Sequence, residues 1–164
     1  MTPEKRSTAR ILLLDDRDRL LLLCARDPRT GVGGSWWFTV GGGLDEGEDA
    51  LTAAVRELRE ETGLDLPAPR LGPVVWTRRV VFTFDGRPFD QSEEYWLLRL
   101  TAAEAAAVRV DTEEASHGHH WWSVDELATT TETVHPERLA ELLPALLTHG
   151  PGPTPLHLGD HDLG

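Results

Sequence analysis

Residues Gly41 to Leu64 read GGGLDEGEDALTAAVRELREETGL. Three glycines open the stretch, and an uninterrupted helix-forming run closes it. Glu57 and Glu61 are four apart, and Glu57 and Glu60 are three apart, so a helix sets all three carboxylates on neighbouring positions of one side. Leu51, Val55, Leu58 and Thr62 fall at helical spacing on a separate stripe, which the pattern predicts to be buried. Three carboxylates this close repel one another unless a cation stands among them. Their donor atoms are all oxygens, which suits Mg2+, or Mn2+, rather than zinc. A Gly-rich turn before the helix lets backbone approach a ligand and offer a carbonyl to it. Gly63 suits a left-handed residue at the helix end.

The spacing of the stretch carries more than the charge cluster. Gly42 is followed by five residues, Glu48, seven residues, Arg56-Glu57-Leu58, one residue, Glu60-Glu61, one residue and Gly63-Leu64. This resembles the signature box of the MutT/Nudix hydrolase family, with every defined position filled. Many members carry a proline just before the glycine pair, where this chain has Thr39-Val40. That departure alters the entry to the glycines and touches no metal position.

Composition narrows the alternatives. A chain of 164 residues with 40% hydrophobic content suggests one domain with a real core. The net charge of −12 repels a polyphosphate backbone, so long nucleic acid is not an expected partner. A small anionic substrate is compatible with that charge when a divalent cation neutralises both sides. No apolar run is long enough to span a membrane, and MTPEKRSTAR with ILLL behind it lacks a cleavage pattern, so no membrane partner is expected. Cys24 is the only cysteine; it precludes an internal disulfide and points to a cytoplasmic protein.

Outward from the box, the chain alternates strands and helices. Residues 1–7 are polar and expected to be loose. Ala9 to Leu14 and Leu20 to Ala25 read as a hairpin about an Asp/Arg turn, and Trp36 to Val40 as a strand leading to the glycines. The box helix should begin near Glu48 or Asp49. Pro67 and Pro69 break the chain, and Val74 to Phe84, an Asp85-Gly86 turn and Tyr95 to Leu100 read as an antiparallel meander. Residues 101–107 fit either a loop or a helical turn. His119 to Ser123 is the last strand expected, and Ser123 can cap a short helix through Glu126. Pro136 suits the first turn of a final helix with Leu139, Leu142, Leu143, Leu146 and Leu147 on its apolar stripe and Pro144 as a kink. Residues 150–164 form a Pro/Gly-rich tail, expected to be disordered or loosely docked. The order implies the α/β (α+β) class: one domain over residues 1–149, an α/β/α sandwich with a mixed sheet between helices. The Nudix resemblance implies the same order.

What the resemblance implies about chemistry is specific. Glu57, Glu60 and Glu61 would be metal ligands, with the Gly41 carbonyl a further one, and one carboxylate would activate water. Arg56 would orient the glutamates, Glu48 would support the loop–helix junction or the outer metal shell, and Gly42 and Gly63 would shape the two ends. Family members often add an acid from a later segment; Glu113 and Glu114 or Glu93 and Glu94 are placed for it. His117, His119 and His120 have no fixed metal partner and read as loop or surface residues. Of the six tryptophans, one or two could stack on a planar group. The implied reaction is Mg2+-dependent cleavage of a pyrophosphate bond in a nucleoside diphosphate linked to another group. Arg79 and Val81 stand where some subfamilies carry a marker proline or tyrosine, which leaves nucleoside triphosphates, ordinary or oxidised, ahead of nucleotide sugars and ADP-ribose. An isomerase on the same fold needs a cysteine motif absent here. A non-catalytic nucleotide sensor is the main alternative, although such proteins commonly lose box glutamates. The resemblance leaves a homodimer open.

Overall fold

The computed structural model describes residues 2–29, 34–111 and 117–163. Its strands are β1 (Glu4–Leu14), β2 (Leu20–Arg26), β3 (Ser35–Gly43), β4 (Val74–Phe84), β5 (Arg87–Arg99), β6 (His119–Trp122), β7 (Thr133–Val134) and β8 (Leu156–Asp162). Its α-helices are α1 (Ala50–Thr62), α2 (Ala102–Ala107), α3 (Val124–Thr129) and α4 (Leu139–His149), with a 3-10 turn at Ala68–Leu71. The strands form one mixed sheet in the order β6-β2-β3-β1-β5-β4-β8, and β7 pairs with β3. β1 is central. It runs antiparallel to β3 and parallel to β5 along its whole length.

Alternation along the strands builds two cores. Ile11, Leu13, Leu21, Leu23, Trp96 and Leu98 face α1. Leu12, Leu14, Leu20, Leu22 and Tyr95 face the other way, where Leu127 of α3 and Leu139, Leu143 and Leu146 of α4 cover them. Near-continuous apolar runs such as ILLLD and LLLLC are what a strand buried on both faces requires. The result is the expected α/β/α sandwich. No helix among the described residues is long and apolar enough to cross a membrane.

Four expectations are corrected. Residues 4–7 are not loose; they extend β1 because β5 pairs with it from Glu4 onward. The three glycines do not form a turn: they continue β3, opposite Thr8, Ala9 and Arg10 of β1. The final helix starts at Leu139 after a left-handed Arg138, so Pro136 lies ahead of its first turn. The tail is docked, with Leu156–Asp162 added to the sheet edge as β8, parallel to β4, so β6 is not the last strand. Residues 102–107 form a helix closed by a capping box between Thr101 and Glu104, and Ser123 and Glu126 cap α3 likewise. Asp85 and Gly86 both take positive φ, which gives the two-residue hairpin between β4 and β5.

Candidate active site

Helix α1 is fixed at both ends. Asp49 accepts the Thr52 N–H at 2.7 Å as its N-cap, a contact of about 1 kcal/mol. Gly63 ends it at φ 78°, with its N–H on the Arg59 carbonyl. The buried face is Ala53, Ala54, Glu57, Leu58, Glu61 and Thr62, a stripe at i, i+3/i+4 spacing. It differs from the expected stripe: Leu51 is exposed and Val55 only half-buried, whereas two carboxylates lie inside. The cause is shape. Ala53 and Ala54 let the helix lie close to Ala9 and the glycine end of β3.

Glycine is required there. A Cβ at Gly42 would stand 2.5 Å from Glu57 Oε1. At Gly41, φ is 136° and a Cβ would run into the Ala9 carbonyl. The Gly41 N–H donates to Glu61 Oε1 at 3.0 Å. Its carbonyl accepts from Arg10 Nη1 at 3.1 Å. Glu61 is 1% exposed, and its Oε2 is buried with no donor. Burial first, then a hydrogen bond with Glu57 and the Glu57 charge, push the Glu61 carboxyl up to about 9; Arg10 and the Gly41 N–H act the other way. Without a cation, burial beside the Glu57 carboxylate thus disfavours the bare anion at Glu61.

Arg56 ties the cluster together. It donates to Glu48 at 2.9 and 2.8 Å, to the Gly43 carbonyl at 2.9 Å, to Glu57 at 3.0 Å and to Glu60 at 3.1 Å. Glu48 in turn accepts the Asp45 N–H at 2.9 Å. The Arg56 bonds and that N–H hold the Glu48 carboxyl down to about 2. Glu57 and Glu61 are thus brought together under the glycines, while Glu60 is half-exposed and drawn to Arg56. Among the described residues no ready-made group of three His, Cys, Asp or Glu side chains is assembled for a metal. The pair nevertheless fits a hard divalent cation: an orphaned buried carboxylate oxygen, a second carboxylate beside it and no sulfur or imidazole donor.

The three glycines also line a cleft of about 620 Å3. Arg6, Arg10 and Phe38 stand near its glycine end, and Trp36, Phe82 and Phe84 supply aromatic surface. Trp36 meets Phe84 edge-on at 6.1 Å between ring centroids. Of the other tryptophans, Trp76, Trp96 and Trp122 are buried in the cores.

The later acids separate cleanly. Glu93 faces the cleft side and is buried. It accepts from Arg78 at 2.9 Å, Tyr95 at 2.7 Å and Gln91 at 2.6 Å, with Arg10 at 3.8 Å. Glu94 is exposed and points to the face that α1 covers, in register with Ala9 and, one strand further, with Gly42. Glu113 and Glu114 lie outside the described residues. His119 and His120 are exposed on β6, His120 against Glu126 at 3.0 Å, and His117 lines the cleft. Sequence reading missed Arg10 and Arg78. The signal was present: Arg10 directly precedes the apolar run Ile11–Leu14, and Arg78 with Arg79 interrupts the apolar run of β4, places where unpaired charge is rarely found.

Comparison with known proteins agrees with this architecture. The NUDIX domain family profile matches residues 4–146. An uncharacterised Nudix hydrolase, YvcI of Bacillus subtilis, is 29% identical over 127 residues, covering 77% of this chain and 71% of its own. An RNA pyrophosphohydrolase of Novosphingobium aromaticivorans is 27% identical over 144 residues, 81% of this chain and 79% of its own. Among solved structures, a MutT protein from Methanosarcina mazei superposes with a TM-score of 0.64 at 15% identity, over 90% of this chain and 96% of that one, a likeness of fold.

Proposed function

The chain belongs to the NUDIX family and is a hydrolase of phosphorus-containing anhydrides; from that premise we propose that it cleaves a pyrophosphate bond in a nucleoside triphosphate, with Mg2+ as cofactor. One observation carries the reading. The Glu57–Glu61 pair and the aromatic cleft both adjoin the same glycines, so a substrate held in the cleft would reach the carboxylates by extending its phosphates past the glycine end of β3. Glu57, Glu60 and Glu61 would hold the ion, with the Gly41 carbonyl able to share its second lone pair. When bound, Mg2+ supplies charge neutralisation at the phosphate oxygens.

The chain's own groups do the rest. Arg56 fixes the Glu57 and Glu60 carboxylates by charge-assisted hydrogen bonds. Gly41 holds Glu61 Oε1, which leaves Oε2 as the oxygen that would face the ion. Arg6 and Arg10 put positive charge at the phosphate end, and Trp36 with Phe84 offers a planar, apolar wall for the base. The net charge of −12 favours a small nucleotide over a long polyanion.

Phosphate and pyrophosphate release tests the proposal. The panel comprises ordinary and oxidised nucleoside triphosphates, nucleotide sugars, ADP-ribose and dinucleotides, each with and without Mg2+ or Mn2+. Metal-dependent release, best with a triphosphate and lost in Glu60→Gln and Glu61→Gln, is the expected result. Binding without release on any compound overturns it.

A further inference from the structure

The family match stops at residue 146, yet Leu163 lines the cleft. How it gets there depends on a bulge. β8 starts beside β4 with Leu156 opposite Trp76 and His157 opposite Thr77. The next pair is Asp160 with Arg79, so two steps on β4 match three on β8. That is a one-residue bulge, and Gly159, at φ 119°, lies in it.

One extra residue inverts which side chains share a face. Leu158, ahead of the bulge, packs against the core of Trp76 and Tyr95 on the face of α4. In a regular strand Asp160 and Asp162 would follow on that face. Past the bulge His161 stands opposite Val80 instead, and Val80 lines the cleft. Leu163 comes two residues later, held by its N–H on the Val81 carbonyl at 2.8 Å. It is half-exposed at the cleft, beside Phe82. The segment also runs near the cleft floor: His161 lies 3.9 Å from Glu137, which accepts from Arg78, the partner of Glu93.

We propose that β8 positions Leu163 as a specificity residue in the wall of the cleft, where it contacts the planar, apolar face of the substrate's non-phosphate group. The identity of that group as a base rests on the hydrolase reading above; the wall itself rests on the register shift.

The test compares wild type with Leu163→Asp and with deletion of Gly159, which restores regular register and turns Leu163 to the other face. Nucleoside triphosphates and inorganic tripolyphosphate are the ligands. KM is measured by phosphate release and Kd by tryptophan fluorescence, with melting curves to confirm folding. For nucleoside triphosphates, Leu163→Asp should raise KM and Kd on the order of tenfold, the loss of one apolar contact, with kcat moved far less. The Gly159 deletion should act in the same direction, and tripolyphosphate should bind all three alike. Unchanged nucleotide Kd in Leu163→Asp, or an equal loss for tripolyphosphate, overturns the wall. If wild type binds nucleotides but hydrolyses none, the hydrolase reading fails and the Kd values still judge the wall. If wild type binds no nucleotide, both fail.

Discussion

Glu61 accepts the Gly41 N–H at 3.0 Å through one carboxylate oxygen and keeps the other buried without a donor. The arrangement is stable as an acid or as a cation-bound anion, and costly as a bare anion. The carboxyl is accordingly pushed, mainly by burial, from its ordinary 4.5 to about 9.

Stability should therefore depend on pH through Glu61. The folded state holds the Glu61 proton more tightly than the unfolded chain, so this contribution is fully present below about 4.5 and is lost as pH rises toward about 9. Metal-free protein should therefore melt at progressively lower temperature across that window. Mg2+ replaces the proton, so its stabilising effect should grow with pH. Glu61→Gln should flatten both trends and lower turnover by at least about a hundredfold. Thermal melts at pH 5, 7 and 9, with and without Mg2+, check it; a wild-type melting temperature that rises over the metal-free series would sink the assignment.

Gly41 and Gly42 should fail in different ways. At Gly41 a side chain meets backbone, the Ala9 carbonyl, at a φ of 136° that other residues rarely adopt. Gly41→Ala should cost about 3 kcal/mol or more of stability. At Gly42 the obstacle is the Glu57 carboxylate at 2.5 Å, the end of a side chain that can turn aside. Gly42→Ala should leave the fold intact and lower kcat by about tenfold to a thousandfold, because it moves a working carboxylate. Denaturant melts paired with steady-state kinetics separate the two.

Arg56 contributes to both fold and site. Its side chain is 18% exposed and joins Glu48, Glu57, Glu60 and the Gly43 carbonyl. Arg56→Ala should cost about 2–4 kcal/mol and most of the activity. Arg56→Lys keeps the charge but loses the two-pronged contact with Glu48, so it should recover stability more than turnover. Equal rescue of both quantities would mean that charge alone is what the site needs.

Much of this fold was legible because its signals are local. Asp49 caps α1, Gly63 ends it, Asp85-Gly86 turns the β4–β5 hairpin and Ser123 caps α3; each depends on a few adjacent residues. What escaped depends on partners far along the chain. Glu4 to Ser7 look loose until β5 pairs with them, and Leu156 to Asp162 look like a tail until β4 does. The rotation of α1 escaped for a related reason. Leu51 is the more apolar residue, but Ala53 and Ala54 fit the side-chain-free end of β3, and that surface exists only after the strands assemble. The candidate site was readable as a set of residues in the box. Its cleft was not, since Arg10, Arg78 and Trp36 come from three different strands.

Glu93 and Glu94 are adjacent in sequence and should have opposite phenotypes. Glu93 lies between Arg78 and Arg10 with its oxygens taken by Arg78, Tyr95 and Gln91. Burial raises its pKa, but Arg10, Arg78 and the Tyr95 hydroxyl together more than offset this and hold it below the ordinary value. Its contribution to stability is thus present above the ordinary carboxylate range and lost as pH falls through the folded value. Glu93→Gln leaves Arg10 without its carboxylate and Arg78 with Glu137 alone, and should cost about 3–5 kcal/mol. Glu94 is exposed, bonds nothing in the core and points to the same face of the sheet as α1, in line with Gly42 across β1. It is placed to act on the phosphate side, so Glu94→Gln should lower kcat by about tenfold or more with stability moved by less than about 0.5 kcal/mol. The two variants can be compared in one experiment of urea melts and initial rates. If Glu94→Gln keeps full turnover, β5 supplies no acid to the reaction, and the remaining candidates lie in the segment that holds Glu113 and Glu114.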